Sequence, residues 1–295
     1  MNSTPHRATI YLEDARILGH ESHPGEQRIL KLEAPKCAQA ARPGSFAHLQ
    51  CDPLLPMRRP LSIMRVDPEA GWVEFLYKII GYGTRLLARR RPGENLSLLG
   101  PIGRPFAVHA DRPRAVLIGG GVGIPPMIFL ANHLRRLPGF KPLAILGSEV
   151  PFPFIPRPSR ILVPGMPDGI IAAMPLLEDW LIPSRLASLQ GFPGCHDGYV
   201  TDLVVRWLDT LSPRELAEVE LFACGPHPML EAVARLARKY DLPAQVSLEE
   251  FMACGVGGCA GCTVAIETAD GQAMKRVCVD GPVFDAATVA AFKPA

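Results

Sequence analysis

Four cysteines crowd into one glycine-rich stretch near the C-terminus, and no other feature restricts the chain as much. The stretch reads Cys254, Gly255, Val256, Gly257, Gly258, Cys259, Ala260, Gly261, Cys262, and Cys278 follows after fifteen more residues. The first three cysteines stand in C-x4-C-x2-C order, the ligand spacing of plant-type [2Fe–2S] proteins. That spacing has a physical reason. One loop must wrap a small rhombic cluster and aim backbone N–H groups at its sulfurs. Gly255, Gly257, Gly258 and Gly261, with Ala260, are expected to let the main chain come close and to take positive φ angles. Such hydrogen bonds also tune a reduction potential. A structural zinc site is the alternative. Zinc ribbons pair two C-x2–4-C knuckles, whereas this segment has a single C-x2-C. The remaining cysteines (Cys37, Cys51, Cys195, Cys224) are scattered and read as small buried apolar residues.

Size leaves room for more than this segment. A chain of 295 residues predicts about two domains, with space for a small third module. Its 48% hydrophobic and 20% charged residues argue for a substantial core and against disorder. A net charge of +2 gives no electrostatic case for nucleic acid or a membrane surface. The opening residues carry no apolar stretch behind a basic segment, so no signal peptide is expected. A cytoplasmic location is expected, and there a tight cysteine cluster points to a metal or redox centre rather than to disulfides. One uncharged run, Ala115 to Asn132, approaches membrane-span length. Its glycines and its Pro125–Pro126 pair fit a buried strand, a turn and a helix start, so no membrane span is expected.

Short strands punctuated by turns fill the N-terminal third. Candidates are Ala8–Leu18, Arg28–Glu33, Ser45–Cys51, Leu61–Val66 and Trp72–Ile80, with turn signals at 23–25, 42–44, 67–71 and 91–93. Regular spacing of this kind suggests a small antiparallel barrel. Residues 84–91 read as a short basic helix. From about Asp111 the pattern changes to strands alternating with helices, which indicates a parallel sheet. A strand, a glycine turn and a helix are expected over 114–136, a strand over 142–147 and a strand ending in a turn over 219–226, and a helix at 226–242 carries Met229, Leu230, Val233, Leu236 and Ala237 at helical spacing.

Two further constellations carry chemistry. Gly119, Gly120, Gly121 and Gly123 follow an apolar strand, and Cys224, Gly225 and Pro226 end a second one. In open α/β sheets ligands sit at the carboxyl ends of strands, so these two turns are expected to face one crevice. The first turn is not the full G-x-G-x-x-G fingerprint, and a tight structural turn is the alternative. In the barrel region, Arg59, Pro60, Leu61 and Ser62 enter a strand, followed by Leu76, Tyr77 and Lys78 and then Gly83 and Thr84. A guanidinium suits a pyrophosphate and a hydroxyl suits a ring nitrogen. Taken singly, these are ordinary strand and turn residues.

Together the motifs resemble the ferredoxin-reductase-like flavoproteins and, more closely, the electron-transfer subunits of NAD-dependent dihydroorotate dehydrogenases. The resemblance spans approximately residues 8–148 and 186–285. It implies a multidomain chain: an antiparallel FAD-binding β-barrel (1–108), an α/β parallel-sheet NAD-binding domain (109–246, with an insertion at about 149–184) and a [2Fe–2S] module (247–295). It further implies that Arg59-Pro60-Leu61-Ser62, Leu76-Tyr77-Lys78 and Gly83-Thr84 hold FAD. By the same resemblance Gly119, Gly120, Gly121, Gly123, Cys224, Gly225 and Pro226 serve NAD(H), and Cys254, Cys259, Cys262 and Cys278 ligate the cluster. No side chain is implied as general acid or base. The implied partner is a catalytic FMN-bearing dehydrogenase of pyrimidine biosynthesis, in a heterotetramer.

Three departures stand out. Leu61 replaces an aromatic residue common in the wider superfamily, which is expected to weaken ring stacking. The stretch 187–192 lacks the two aspartates usual in the family, which puts the usual dinucleotide contacts in question. The insertion holds eight prolines and the segment Leu176-Leu177-Glu178-Asp179-Trp180, and reads as a lid, a partner surface or an inert elaboration. The expected activity is electron transfer among NAD(H), FAD and the cluster, to or from the partner. The alternatives are a reductase subunit of a hydrogenase, sulfite reductase, transhydrogenase or oxygenase-type complex, and a redox-sensing protein without NAD turnover.

Overall fold

The computed structural model describes residues 9–293. Its N-terminal strands β1 (Tyr11–His23), β2 (Gln27–Glu33), β3 (Phe46–Leu49), β4 (Arg59–Asp67), β5 (Trp72–Lys78) and β6 (Asn95–Ile102) close into an antiparallel barrel, in the order β1-β2-β5-β4-β3-β6. Strand periodicity fills its interior. Ala15, Ile17, Leu30, Leu32, Ala47, Leu49, Ile63, Val73, Phe75, Tyr77, Leu96 and Leu98 share one buried cluster. Helix α1 (Pro35–Ala40) adds Cys37 and Ala38 to it.

The closing strand β6 is absent from the reading of the sequence. Its Gly100-Pro101 pair looks like a turn signal, yet Leu96 and Leu98 alternate inward and Gly100 is paired with Tyr11. The expected basic helix begins earlier, as α2 (Tyr82–Leu87), because the Thr84 hydroxyl accepts the Ile80 and Gly81 N–H groups at 3.0 and 3.1 Å. Ala8, the expected start of the first strand, lies outside the described residues.

The second unit is built from β7 (Arg114–Gly120), α3 (Ile124–Leu134), β8 (Leu143–Gly147), β9 (Arg157–Pro158), β10 (Ala172–Ala173), α4 (Pro175–Asp179), β11 (Ser184–Ala187), α5 (Val200–Leu208), α6 (Pro213–Leu216), β12 (Val219–Cys224), α7 (His227–Tyr240) and β13 (Ala244–Ser247). Strands β11-β8-β7-β12-β13 lie parallel in that order. The two faces of β7 explain the layering. Ala115 and Leu117 pack with Met127, Ile128 and Leu130 of α3, while Val116 and Ile118 pack with Leu203 and Val204 of α5 and Leu230 and Val233 of α7. The uncharged run from Ala115 is thus strand, turn and helix, and among the described residues no helix is long and apolar enough to cross a membrane.

The insertion is not loose. Phe152, Ala172, Met174, Leu177 and Ile182 join the core on the α3 side of the sheet. The buried Glu178 carboxylate accepts the Ser159 hydroxyl at 3.0 Å and the Arg160 N–H at 2.6 Å. The Arg135 guanidinium lies 4.7 Å from the centre of the Trp180 ring. Gln27 of β2 donates to the Pro151 carbonyl at 2.7 Å, tying the segment to the barrel. These contacts argue against a mobile lid.

The C-terminal segment forms the hairpin β14 (Thr263–Thr268) and β15 (Gly271–Arg276), and then β16 (Val283–Asp285), which pairs antiparallel with β13. Its Cys262, Ile266, Val277 and Cys278 share a buried cluster with one face of the parallel sheet and with Phe46 and Ile102 of the barrel. The Arg104 N–H donates to the Gly281 carbonyl at 2.5 Å. Gly103 takes φ +98°, and a Cβ there would overlap Pro282. Gly103→Ala is therefore expected to destabilise the chain by about 1–3 kcal/mol, from overpacking at a strained φ. Chemical denaturation measures it, and an unchanged midpoint would contradict the tight contact.

Candidate functional site

The cysteine site is assembled by a hairpin and a loop. Strands β14 and β15 pair from Thr268 opposite Gly271 to Thr263 opposite Arg276, so Cys262 and Cys278 flank the open end. The Val277 N–H donates to the Cys262 carbonyl at 2.9 Å, which sets the two cysteines side by side. Burial, then the Cys262 side chain, pushes the Cys278 thiol up to about 12. Burial raises the Cys254 thiol, but the N–H groups of Val256, Cys259 and Gly258 and the Cys259 side chain outweigh it and bring it down to about 7. The Gly257 N–H points at Cys278, and the Gly261 N–H donates to Cys259 Sγ at 3.5 Å.

Positive φ angles occur at Gly255 (+68°), Gly257 (+82°) and Ala260 (+53°). Gly258 and Gly261 take no positive φ, contrary to expectation, so the sharp bends are fewer than the glycines. A Cβ on Gly257 would sit 2.8 Å from Val279 Cγ2. Among the described residues no three His, Cys, Asp or Glu side chains converge closely enough to chelate a single ion. The four cysteines are brought instead to one loop and the open end of its hairpin, a spread that suits a two-iron cluster, with two thiolates for each iron, better than one tetrahedral zinc bound to all four at about 2.3 Å.

The barrel motif lies at the start of β4. Gly83 has no side chain where Arg59 crosses it, since a Cβ there would lie 2.7 Å from Arg59 Nε. Arg59 is held by donating to the Met57 and Arg58 carbonyls at 2.9 and 3.1 Å. Arg59, Gly83 and Thr84 are thus brought together. Strand alternation decides the rest. Leu61 is half-buried and packs against the barrel's core cluster. Tyr77 turns inward. Its hydroxyl lies 2.8 Å from His20 Nε2, and His20 Nδ1 lies 2.9 Å from the Arg90 carbonyl. Burial pushes the Tyr77 hydroxyl up and the His20 imidazole down. Leu76 points the other way, into the cluster with Met64, Phe106 and Ile124. Lys78 ends the strand, opposite Gln27.

The two glycine turns meet. Gly119 of β7 is the register partner of Cys224 of β12. A Cβ on Gly123 would collide with the Cys224 carbonyl, one on Gly120 would lie 2.6 Å from Met229 Sδ, and one on Gly225 would lie 2.5 Å from Met229 Cε. Close packing of the turns therefore demands most of these glycines. Gly121 alone of the four in the first turn takes a positive φ (+55°), and it faces open space. The turns occupy the place where strand order reverses, between β7 and β12, with Pro226 leading into α7. Cys224 is fully buried, and burial, with Glu249 adding to it, pushes its thiol up. Packing, not reactivity, accounts for it. The altered stretch after β11 is held by Ser188, whose N–H donates to the His196 carbonyl at 2.8 Å and whose hydroxyl accepts the Gln190 N–H at 3.2 Å.

One residue that the sequence reading passed over stands between the barrel motif and the cysteine loop. His48 of β3 is the register partner of Pro60, and a Cβ on Gly255 would lie 2.8 Å from its ring. It is 0% exposed, and neither ring nitrogen has a hydrogen-bond partner. Burial, with help from Arg58 and Arg59, lowers its imidazole to about 4. The available signal was a histidine in an otherwise apolar strand, flanked by inward-facing Ala47 and Leu49.

Known proteins bear on the same features. Residues 249–290 match the family described as the iron-sulfur cluster binding domain of dihydroorotate dehydrogenase B. The chain is 32% identical over 275 residues to the dihydroorotate dehydrogenase B (NAD(+)) electron transfer subunit of Desulforamulus reducens, covering 92% of this chain and 95% of that one. It is 35% identical over 268 residues to the subunit of the same name from Bacillus caldolyticus, covering 88% and 91%. Among solved structures, an NADH-dependent reduced ferredoxin-NADP oxidoreductase shares the fold with a TM-score of 0.77 at 23% identity, over 94% of this chain and 90% of that one. A ferredoxin reductase of carbazole 1,9a-dioxygenase gives 0.60 at 21% identity, over 79% and 67%.

The thiol environments generate a labelling order. In metal-stripped protein near pH 8, iodoacetamide is expected to modify the half-exposed Cys254 and the exposed Cys259 well before the buried Cys37, Cys51 and Cys224, whose thiols burial pushes up. Peptide mass spectrometry reads this. Iron-loaded protein should label at neither loop cysteine.

Proposed function

The chain belongs to the family of dihydroorotate dehydrogenase B electron transfer subunits, and from that premise we propose that it passes electrons between NAD(H), FAD and a [2Fe–2S] cluster, to or from a catalytic dehydrogenase subunit. The observation that carries this reading is the cysteine loop seated against the barrel strand pair that bears the Arg59–Ser62 motif. A flavin exchanges electrons in pairs with a nicotinamide and singly with an iron–sulfur centre, which is the chemistry such a relay needs.

The chain's own residues position and tune. Cys254 and Cys259 would hold one iron, and Cys262 and Cys278 the other, with the loop N–H groups donating to sulfur. Arg59 beside Gly83 and Thr84 would take the FAD pyrophosphate, with Pro60 and Ser62 on the outer side of the same strand. Lys78 would border the flavin ring, while Leu76 and Tyr77 would contribute their main chain, since both side chains are buried in core clusters. Gly121, framed by Gly119, Gly120 and Gly123, would line the dinucleotide crevice opposite Cys224, Gly225 and Pro226. The division into residues 1–108, 109–246 and 247–295 follows these three cofactor roles. We take the partner to be an FMN-bearing dehydrogenase joined in a heterotetramer, and the compartment to be the cytoplasm, which suits eight free cysteines.

Purified anaerobically, the chain is expected to carry flavin and about two irons. Cys259→Ser should lose iron and keep flavin, and Arg59→Ala should lose flavin and keep iron. Visible spectra and metal analysis read both. NADH should bleach the flavin of the wild-type chain. A fully loaded chain that NADH leaves unbleached would overturn the reading.

A further inference from the structure

We propose that His48 donates a hydrogen bond to a sulfur of the cluster site and thereby sets the potential of that centre, as a positioning residue that touches neither nicotinamide nor substrate. The inference rests on the proposed function and extends it to a residue outside the cysteine and flavin motifs.

Three independent observations converge on this side chain. It is completely buried, and both ring nitrogens lack a partner. Leaving an imidazole so costs free energy unless something at the site takes the hydrogen bond. The ring also lies against the cysteine loop at the one residue that makes room for it. Gly255 follows Cys254, takes φ +68°, and a Cβ there would lie 2.8 Å from both Nδ1 and Cε1. Finally, the ring is fixed from behind. Phe46 meets it edge-on at 6.2 Å, and Arg58 donates to the His48 carbonyl at 3.3 Å while gripping the Ser97 carbonyl and hydroxyl at 2.8 Å each. Strand β3 is thereby bolted to β6, and the ring sits between Phe46 and the Gly255 turn.

The chemistry of the two sides then selects the bond. Thiolate and sulfide sulfurs are acceptors and lack a proton to give. Imidazole keeps at least one N–H in either protonation state. A donor aimed at sulfur favours the state that carries the additional negative charge, which is the reduced one, so the potential rises. The neighbour on the strand, Pro60, has no side-chain acceptor to compete.

The experiment uses the full chain with its cofactors in place. Redox titration followed by EPR gives the cluster midpoint, and the flavin midpoint serves as internal reference. His48→Leu is expected to shift the cluster midpoint downward while the flavin midpoint stays, and His48→Gln, which keeps an amide donor, should recover part of the shift. Iron content is measured alongside. A leucine variant with full iron and an unshifted cluster midpoint overturns the proposal. Should that variant lose its iron, wild-type protein labelled with 15N-histidine decides the matter: a histidine nitrogen coupling on the reduced cluster signal supports the bond, and its absence overturns it. A wild-type chain without flavin and iron would instead sink the proposed function itself.

Discussion

The fit of the cysteine loop against the outside of the barrel is the contact on which the rest depends. Two glycines make it close. Gly103 gives way to Pro282, and Gly255 gives way to His48. A single short backbone bond, from Arg104 to Gly281, fixes the approach. Electron transfer between centres demands a constant separation, and a side chain at either glycine would force the two units apart. The parallel sheet completes the frame, because Phe46, Ile102, Cys262 and Cys278 all belong to the buried cluster on one of its faces. Barrel, sheet and cysteine segment thus meet in one shared cluster beside the barrel's own core, so their relative placement does not rely on linkers.

Much of this was legible in the residues. The cysteine spacing and its glycines announced a wrapped metal centre, since few other uses require three thiols so near each other and so little side chain between them. The change from short strands and turns to strand-helix alternation marked the second unit, and the two glycine turns did meet at the point where strand order reverses. What the sequence concealed was direction. Tyr77 sits in the motif that resembles a flavin site, yet its side chain turns into the barrel. A motif names positions on a strand, and only register tells which face each one takes. The strand that closes the barrel hid behind its Gly100-Pro101 pair for a related reason: local turn chemistry was outvoted by long-range pairing with β1 and β3. His48 escaped because a lone histidine between apolar neighbours is ordinary until the fold sets a glycine loop against it.

The insertion teaches a similar lesson about proline-rich composition. The eight-proline segment read as a lid, a partner surface or an inert elaboration, and it buries Phe152, Met174 and Leu177 and satisfies its one buried carboxylate from Ser159 and Arg160. Proline here shapes an irregular path over a core that is otherwise ordinary. The segment also bridges units, through Gln27 and Pro151.

The last strand has a bearing on how such a chain survives before it is complete. An open β13 edge would offer a row of unpaired N–H and C=O groups to any neighbouring polypeptide. Val283–Asp285 occupies that row with antiparallel bonds that involve no cysteine. A newly made subunit still waiting for iron delivery can thus keep its sheet border sealed, and the interval between synthesis and maturation need not be an invitation to clump.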